Sequence, residues 1–223
     1  MPSVRASKAD LVVALADLYL DTDVRSFLPR LAEQIVSSGV SEHELQEIWR
    51  RQVTPCVHWN LKSVAGEWSG FDRHWLLEQV QRRAEKPGLE AVPWLGDLVH
   101  RFRAYGAERE FRCAQQLARH LAQSPATERP RRVAVWLALV QVYYAFDREK
   151  KSASGAHDPQ RVHSFTRQLV QNQQLAPHEL VEEFRALCDL LAELLSHDER
   201  KHAAEARVAA WLERLIILSD GKA

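Results

Sequence analysis

Residues 41–49 read SEHELQEIW, and this short stretch decides the fold class. Ser41 and Glu44 have the S-x-x-E spacing of a capping box, in which each side chain accepts a hydrogen bond from a free backbone amide of the other residue. Apolar side chains then follow at helical spacing, at Leu45, Ile48 and Trp49. The stretch predicts a helix that begins after Ser41 and ends before Pro55.

Helical spacing of apolar residues continues on both sides of this stretch. A preceding helix is predicted to start near residues 22–26 and to end at Gly39, because glycine permits a left-handed cap. Further along, residues 133–146 read VAVWLALVQVYYAF and predict a central buried helix. The basic residues that precede it are expected in solvent, namely Arg129, Arg131 and Arg132.

No segment alternates between polar and apolar residues with a period of two, so strands are not expected. The sequence therefore predicts an all-α fold, a compact bundle of about eight to ten helices. The turn-forming residues Lys86-Pro87-Gly88 interrupt the helical pattern. They predict an N-terminal helical subdomain over residues 1–86 and a C-terminal one over 87–223, with one continuous α domain as the alternative.

Composition excludes several classes of protein. Lysine plus arginine and aspartate plus glutamate each number 30, so no global charge attracts nucleic acid or an anionic membrane. The three cysteines have no CxxC spacing, which argues against a disulfide framework or a structural zinc site. No apolar run approaches the roughly 20 residues of a membrane span. The N-terminus also lacks the pattern of a signal peptide. We expect a cytoplasmic protein without nucleic-acid or membrane partners.

No catalytic or metal-binding pattern emerges from the sequence. Cys56 and His58 lie too close in sequence for a positioned nucleophile and base, and no third group orients them. The pairs His43–Glu47 and Asp198–His202 each supply only two ligands at helical spacing. No glycine-rich phosphate loop is present in the sequence. We therefore predict no catalytic residue, no metal and no cofactor.

The most unusual segment is the loop over residues 56–71, CVHWNLKSVAGEWSGF. Its aromatic residues, with Trp75 on the following helix, either seal the first helices or expose one tryptophan as an anchor for a partner. Glu67 either accepts backbone hydrogen bonds or points outward as a recognition group. Gly66 and Gly70 permit the tight path. The following helix, near residues 71–83, is expected to carry Trp75, Leu76 and Val80 on one face.

Two stretches, LADLYLDTD at 15–23 and VTPCVHWNLKSVAGEWSGF at 53–71, resemble an uncharacterised family of small bacterial domains. The matching positions are Asp21, Thr22, Asp23, Pro55, Asn60, Leu61, Ala65, Gly66, Trp68, Gly70 and Phe71. This resemblance covers about a third of the chain and implies no catalytic residue. In general character, the whole chain also resembles a cytosolic immunity protein encoded beside an antibacterial toxin, such as one of a type VI secretion system.

The leading hypothesis is therefore an immunity protein, not an enzyme, whose partner is a cognate toxin and whose binding occludes the toxin's active site. The predicted contacts lie in the aromatic loop and its end, with an acidic turn as second choice: Trp59, Glu67, Trp68 and Asp72, then Asp21 and Asp23. One alternative is a metal- or ligand-dependent helical enzyme that uses His58, Glu67, His74 and His43. The other is a regulatory adaptor that binds a partner helix.

Overall fold

The computed structural model describes residues 8–20, 24–58, 70–85, 104, 107–151, 182–187 and 210. For residues 25, 84 and 141–151 it describes the backbone only. Within the described residues the chain is helical, with seven α-helices and no strand. The all-α class is confirmed, and the expected total of eight to ten helices stays a prediction. None of the described helices is long and apolar enough to cross a membrane.

The chain divides into two compact units, Met1–Gln123 and Ser124–Ala223. The predicted boundary at residues 86–88 lies outside the described residues, which stop at residue 85 before it, and it stays a prediction. The helices are α1 (Lys8–Ala16), α2 (Leu28–Ser38), α3 (Glu42–Glu47), α4 (Thr54–Val57), α5 (Arg73–Glu85), α6 (Glu108–Gln123) and α7 (Arg129–Lys151). Two 3-10 turns, Asp17–Tyr19 and Val24–Phe27, and a π turn, Ile48–Val53, join some of them.

Local signals in the sequence correctly predict the junction between α2 and α3. Gly39 ends α2 in the left-handed conformation, at φ 68° and ψ 15°, and its N–H donates to the carbonyl of Val36. Ser41 then caps α3, because its hydroxyl accepts the N–H of Glu44 at 3.2 Å. Glycine at this position avoids the steric cost that a side chain would incur. The junction therefore depends on hydrogen bonds between residues three positions apart in the sequence.

The end of this helical stretch differs from the prediction, since the helix does not stop before Pro55. The π turn follows α3, with the N–H of Thr54 donating to the carbonyl of Trp49, and α4 then includes Pro55. Proline lacks an N–H, and its ring clashes with the carbonyl four residues earlier in a regular helix. A π turn is wider than an α-helical turn and gives such a residue a place within a helical path.

The core of the first unit forms around the side chains of this π turn. Trp49 is fully buried and stacks on Phe111 of α6, with ring centroids 3.8 Å apart and planes 13° from parallel. The hydroxyls of Tyr19 and Thr54, both fully buried residues, lie 2.6 Å apart. Helix α6 also packs along α2. Residues far apart in sequence, from the first 3-10 turn to α6, therefore meet at one buried cluster.

Burial raises the pKa of Tyr19 above its ordinary value, and nearby Glu108 acts in the same direction. The hydrogen bond with Thr54 opposes that shift, and so does the nearby indole of Trp49. Buried hydroxyls cost free energy unless they have partners. Tyr19 is therefore a neutral donor and acceptor that joins the first 3-10 turn to the helical stretch 42–57.

In the second unit, a partly buried ion pair joins α7 to residues 182–187. Arg132 donates to Glu183 Oε1 through Nε at 2.9 Å and Nη2 at 2.7 Å. Trp136, one turn later, donates its indole N–H to Glu183 Oε2 at 3.0 Å. Arg132 also donates to the hydroxyl of the buried Ser124. The expectation that Arg132 lies in solvent is therefore wrong, because its side chain is only 28% exposed and forms an ion pair with Glu183.

We expect Tyr19 and Thr54 to be energetically coupled. Tyr19→Phe or Thr54→Val should each lower the free energy of unfolding by about 1–3 kcal/mol, because each leaves a buried partner without its hydrogen bond. The double variant should cost less than the sum of the two, since both hydroxyls are then gone. Urea unfolding of the wild type and the three variants measures this coupling. Additive costs would contradict it.

Candidate functional site

Only one of the six predicted contact residues lies in the described part of the chain. Asp72 lies in it, whereas five lie outside it: Asp21, Asp23, Trp59, Glu67 and Trp68. Glu67, which the enzyme alternative also uses, is therefore not placed. The described residues that border these two segments along the chain are Val24–Phe27 and 70–75.

Asp72 begins α5 as its N-cap. Its Oδ1 accepts the N–H of Trp75 at 2.7 Å, and its backbone carbonyl accepts the N–H of Leu76 at 2.9 Å. Aspartate is favoured at this position because its carboxylate satisfies an amide that has no partner within the helix. The preceding Gly70 has φ 137°, a conformation that side chains disfavour. Glycine and aspartate thus turn the chain sharply into α5.

Two aromatic rings flank this cap, and we refer to Phe71 and Trp75 as the aromatic pair. Their centroids lie 6.4 Å apart, and their planes differ by 12°. Trp75 is 42% exposed, whereas Leu76 and Val80 of the same helix are buried. The prediction that Trp75, Leu76 and Val80 share a face is wrong for Trp75. Adjacent helical residues point about 100° apart, so Trp75 lies beside the buried stripe.

An ion pair holds the start of α5 against α1. Arg73 Nη2 lies 2.7 Å from Asp10 Oδ1, and both side chains are about half exposed. Such an exposed pair adds at most about 1 kcal/mol to stability. The pair links the N-terminus of α5, next to the aromatic pair, to α1.

Phe27 is the second large apolar side chain exposed among the described residues, also at 42%. It ends the 3-10 turn Val24–Phe27, which directly follows the acidic segment 21–23. Trp75 comes shortly after the aromatic loop. Each of the two segments predicted to contact a partner is therefore bordered by a large exposed aromatic residue.

The side chains considered for catalysis bind backbone groups or face solvent. Cys56 Sγ donates to the carbonyl of Gln52 at 3.1 Å, and burial raises the pKa of this thiol while Arg83 opposes the shift. His58 is buried, with Nδ1 3.2 Å from the carbonyl of Thr54. His43 and His74 are exposed. Within the described ranges, no three or more His, Cys, Asp or Glu side chains group together as a metal site would require.

Comparison with known protein families assigns most of the first unit. Residues 6–124, more than half of the chain, match the family described as a domain of unknown function, DUF7079. The chain belongs to the DUF7079 family. This match is consistent with the resemblance to an uncharacterised domain, and it covers more of the chain than the third on which that resemblance rests. No curated protein and no solved structure matches the chain significantly.

The DUF7079 domain contains α1 to α6, and with them Phe27, Asp72 and Trp75. The ion pair of Arg132 with Glu183 lies outside it. Sequence reasoning named Asp72 but did not select Phe27 or Trp75 as contacts. Helical spacing alone carried the missing signal, because a tryptophan directly before the apolar pair Leu76 and Val80 must lie off their common face.

One acidic group of the DUF7079 domain has a strongly shifted pKa. Burial raises the pKa of Asp17, in the first 3-10 turn, from 3.8 to about 6. An acid whose pKa is higher in the folded protein binds protons more tightly there than in the unfolded chain. Stability therefore falls as the pH rises from about 4 to about 6, as this carboxyl must ionise in a partly buried place.

We predict that Asp17→Asn removes this pH dependence. At pH 4 the variant and the wild type should have similar stability, because the carboxyl is largely neutral in the folded protein. At pH 7.5 the variant should be more stable, by roughly 1 kcal/mol after allowance for the solvent that reaches this side chain. Thermal unfolding at several pH values measures the difference. A difference that stays constant with pH would contradict the assignment.

We also predict that the cap and the charge of Asp72 can be separated. Asp72→Ala should lower the free energy of unfolding by about 1 kcal/mol, because the amide of Trp75 loses its acceptor. Asp72→Asn keeps a capping oxygen and should retain nearly all of the stability. Urea denaturation of both variants provides the measurement. Equal losses in the two variants would show that the negative charge, not the cap, supports α5.

Proposed function

We propose that this chain is an immunity protein that binds and neutralises a cognate secreted bacterial toxin by occluding the toxin's active site. The observation that supports it best is the placement of Phe27 and Trp75. These large exposed aromatic residues border the two segments that the sequence marks as contacts. The proposed contacts are the predicted ones, with Trp75 and Phe27 added: Trp59, Glu67, Trp68, Asp72, Asp21 and Asp23.

Exposed tryptophan is a strong recognition group when it is held rigidly. Tryptophan is among the residues that dominate binding energy at protein interfaces. Trp75 lies in the first turn of α5, where Asp72 accepts its backbone N–H and Phe71 lies parallel to its ring. An anchor that is already ordered loses little entropy on binding. The aromatic pair is therefore suited to fill an apolar recess on a partner.

Charge in this region favours a basic partner surface. Asp72 is exposed, and Arg73 beside it already pairs with Asp10. Glu67, Asp21 and Asp23 would add negative charge in the two predicted segments. Because the net charge of the chain is zero, attraction must come from such local groups. A local acidic surface accelerates encounter with a basic toxin, while aromatic anchors slow dissociation.

We place this activity in the bacterial cytoplasm, where an immunity protein meets the toxin of its own or a neighbouring cell. The direct experiment is co-expression with the toxin-like protein encoded by the adjacent gene. The expected result is restored growth and co-purification of the two chains. If growth is not restored and no complex forms, the immunity proposal fails. A stoichiometric metal in the purified protein would favour the enzyme alternative.

Substitution of the two exposed aromatic residues should identify the binding face. We expect Trp75→Ala to weaken toxin binding by about 10- to 100-fold, the range of an interface anchor. Phe27→Ala tests the second-choice face beside the acidic turn in the same way. Arg82→Ala changes an exposed residue two turns along α5 and should leave affinity within about 2-fold. Titration calorimetry measures all three variants.

Unchanged affinity in both aromatic variants, with a wild type that still binds the toxin, would show that the contact lies elsewhere. Neither aromatic side chain is buried, so the folded state should survive both changes, and thermal unfolding checks this point. The comparison therefore separates a wrong face from a wrong function.

A further inference from the structure

A cavity of about 260 Å³ opens between α2, α3 and α6 of the first unit. Its walls are mostly apolar, with Ile35, Val36, Leu45 and Ala118 among them. These residues come from the end of α2, the start of α3 and the second half of α6. Neither the aromatic pair nor Phe27 lines it. The cavity is therefore a separate feature from the proposed toxin-binding surface.

Gln115 is the unusual residue of this cavity. It lines the wall, is only 8% exposed, and lies on the buried face of α6 among apolar residues such as Ala114 and Ala118. Its amide nitrogen is buried and has no hydrogen-bond partner within the part of the chain that the structure describes. A buried amide without a partner costs free energy, because it has given up its hydrogen bonds to water.

An exposed ion pair also lines the cavity. Arg119 Nη2 donates to Glu42 Oε1, and both residues line the cavity. Because the two charges compensate each other, the walls carry no net charge to attract an ionised ligand. The polar requirement that remains is an acceptor for the amide of Gln115, which offers two N–H donors.

We propose that this cavity binds a small neutral molecule with an apolar body and one hydrogen-bond acceptor. The side-chain amide of Gln115, now buried, turns toward the cavity and donates a hydrogen bond to that acceptor. The volume indicates the size of the body. A cavity of about 150 Å³ accommodates benzene, so about 260 Å³ suits a fused bicyclic ring or an aliphatic group of similar size. The apolar walls supply affinity, and the amide selects for a carbonyl, ether or hydroxyl oxygen.

The test compares two probes of the same shape. 1-Indanone has a fused apolar ring system with a carbonyl, and indane is the same skeleton without it. Proton–nitrogen NMR spectra of the labelled full chain follow each titration. We expect 1-indanone to shift the side-chain amide signals of Gln115 and to bind about 3- to 10-fold more tightly than indane, as one net hydrogen bond provides.

Two variants examine the assignment. Gln115→Met has a similar length but no amide, so it should bind the two probes equally and unfold a few degrees higher, on the order of 2–5 °C. Ala118→Leu fills the cavity and should reduce the affinity of both probes by at least about 10-fold. Both variants should still protect against the toxin, because the cavity lies apart from the proposed contacts.

Several outcomes would overturn the proposal. These are no binding of 1-indanone by the wild type, equal affinity for 1-indanone and indane, or an unchanged preference in Gln115→Met. Binding that persists in a folded Ala118→Leu variant would place the probe elsewhere. Because the wild-type comparison of the two probes needs no substitution, the proposal stays testable even if a variant fails to fold.

Discussion

The π turn at Ile48–Val53 is the constraint on which the first unit depends. In a regular α-helix, residues five positions apart point about 140° from one another. Trp49 and Thr54 have this separation, yet both lie beside Tyr19, whose hydroxyl is 2.6 Å from that of Thr54 and whose pKa both neighbours act to lower. The wider π turn brings them to a common side. This arrangement leaves the ring of Trp49 stacked on Phe111, so the 3-10 turn at Tyr19, the helical stretch 42–57 and α6 share one buried junction.

Besides this junction, the first unit includes groups that cost stability, among them Asp17 and Gln115. Asp17 holds a carboxyl where burial disfavours its charge, and Gln115 holds an amide without a partner in the described residues. An asparagine at one position and an apolar residue at the other would fold more readily. Groups that violate the rules of a stable fold occur mainly at sites that serve a function. Gln115 meets that description more fully than Asp17, because it also lines a cavity.

The sequence predicts those features that depend on a few adjacent residues. Gly39, Ser41 and Asp72 each act on an amide or carbonyl within four positions. For Gly39 and Ser41, sequence spacing was sufficient to predict these helix ends. The π turn could not be predicted in this way. It accommodates Pro55 in the helical path while Trp49 stacks on the distant Phe111, and that contact exists only in the folded chain. The pairing of Arg132 with Glu183, and the cavity beside Gln115, depend on distant segments that meet only in the fold. Of the six predicted contacts, the structure describes Asp72 alone, and the contact role of all six stays a prediction.

The exposure of Trp75 distinguishes its role from that of the buried residues of α5, which stabilise the fold. Leu76 and Val80 bury the stripe that holds α5 on the unit. The backbone cap at Asp72 needs only the N–H of residue 75, which almost any amino acid supplies. Folding therefore makes little demand on the indole, and a charged or polar side chain would solvate this position better. A tryptophan that is 42% exposed beside a capped helix start fits the proposed partner contact better than a role in the core.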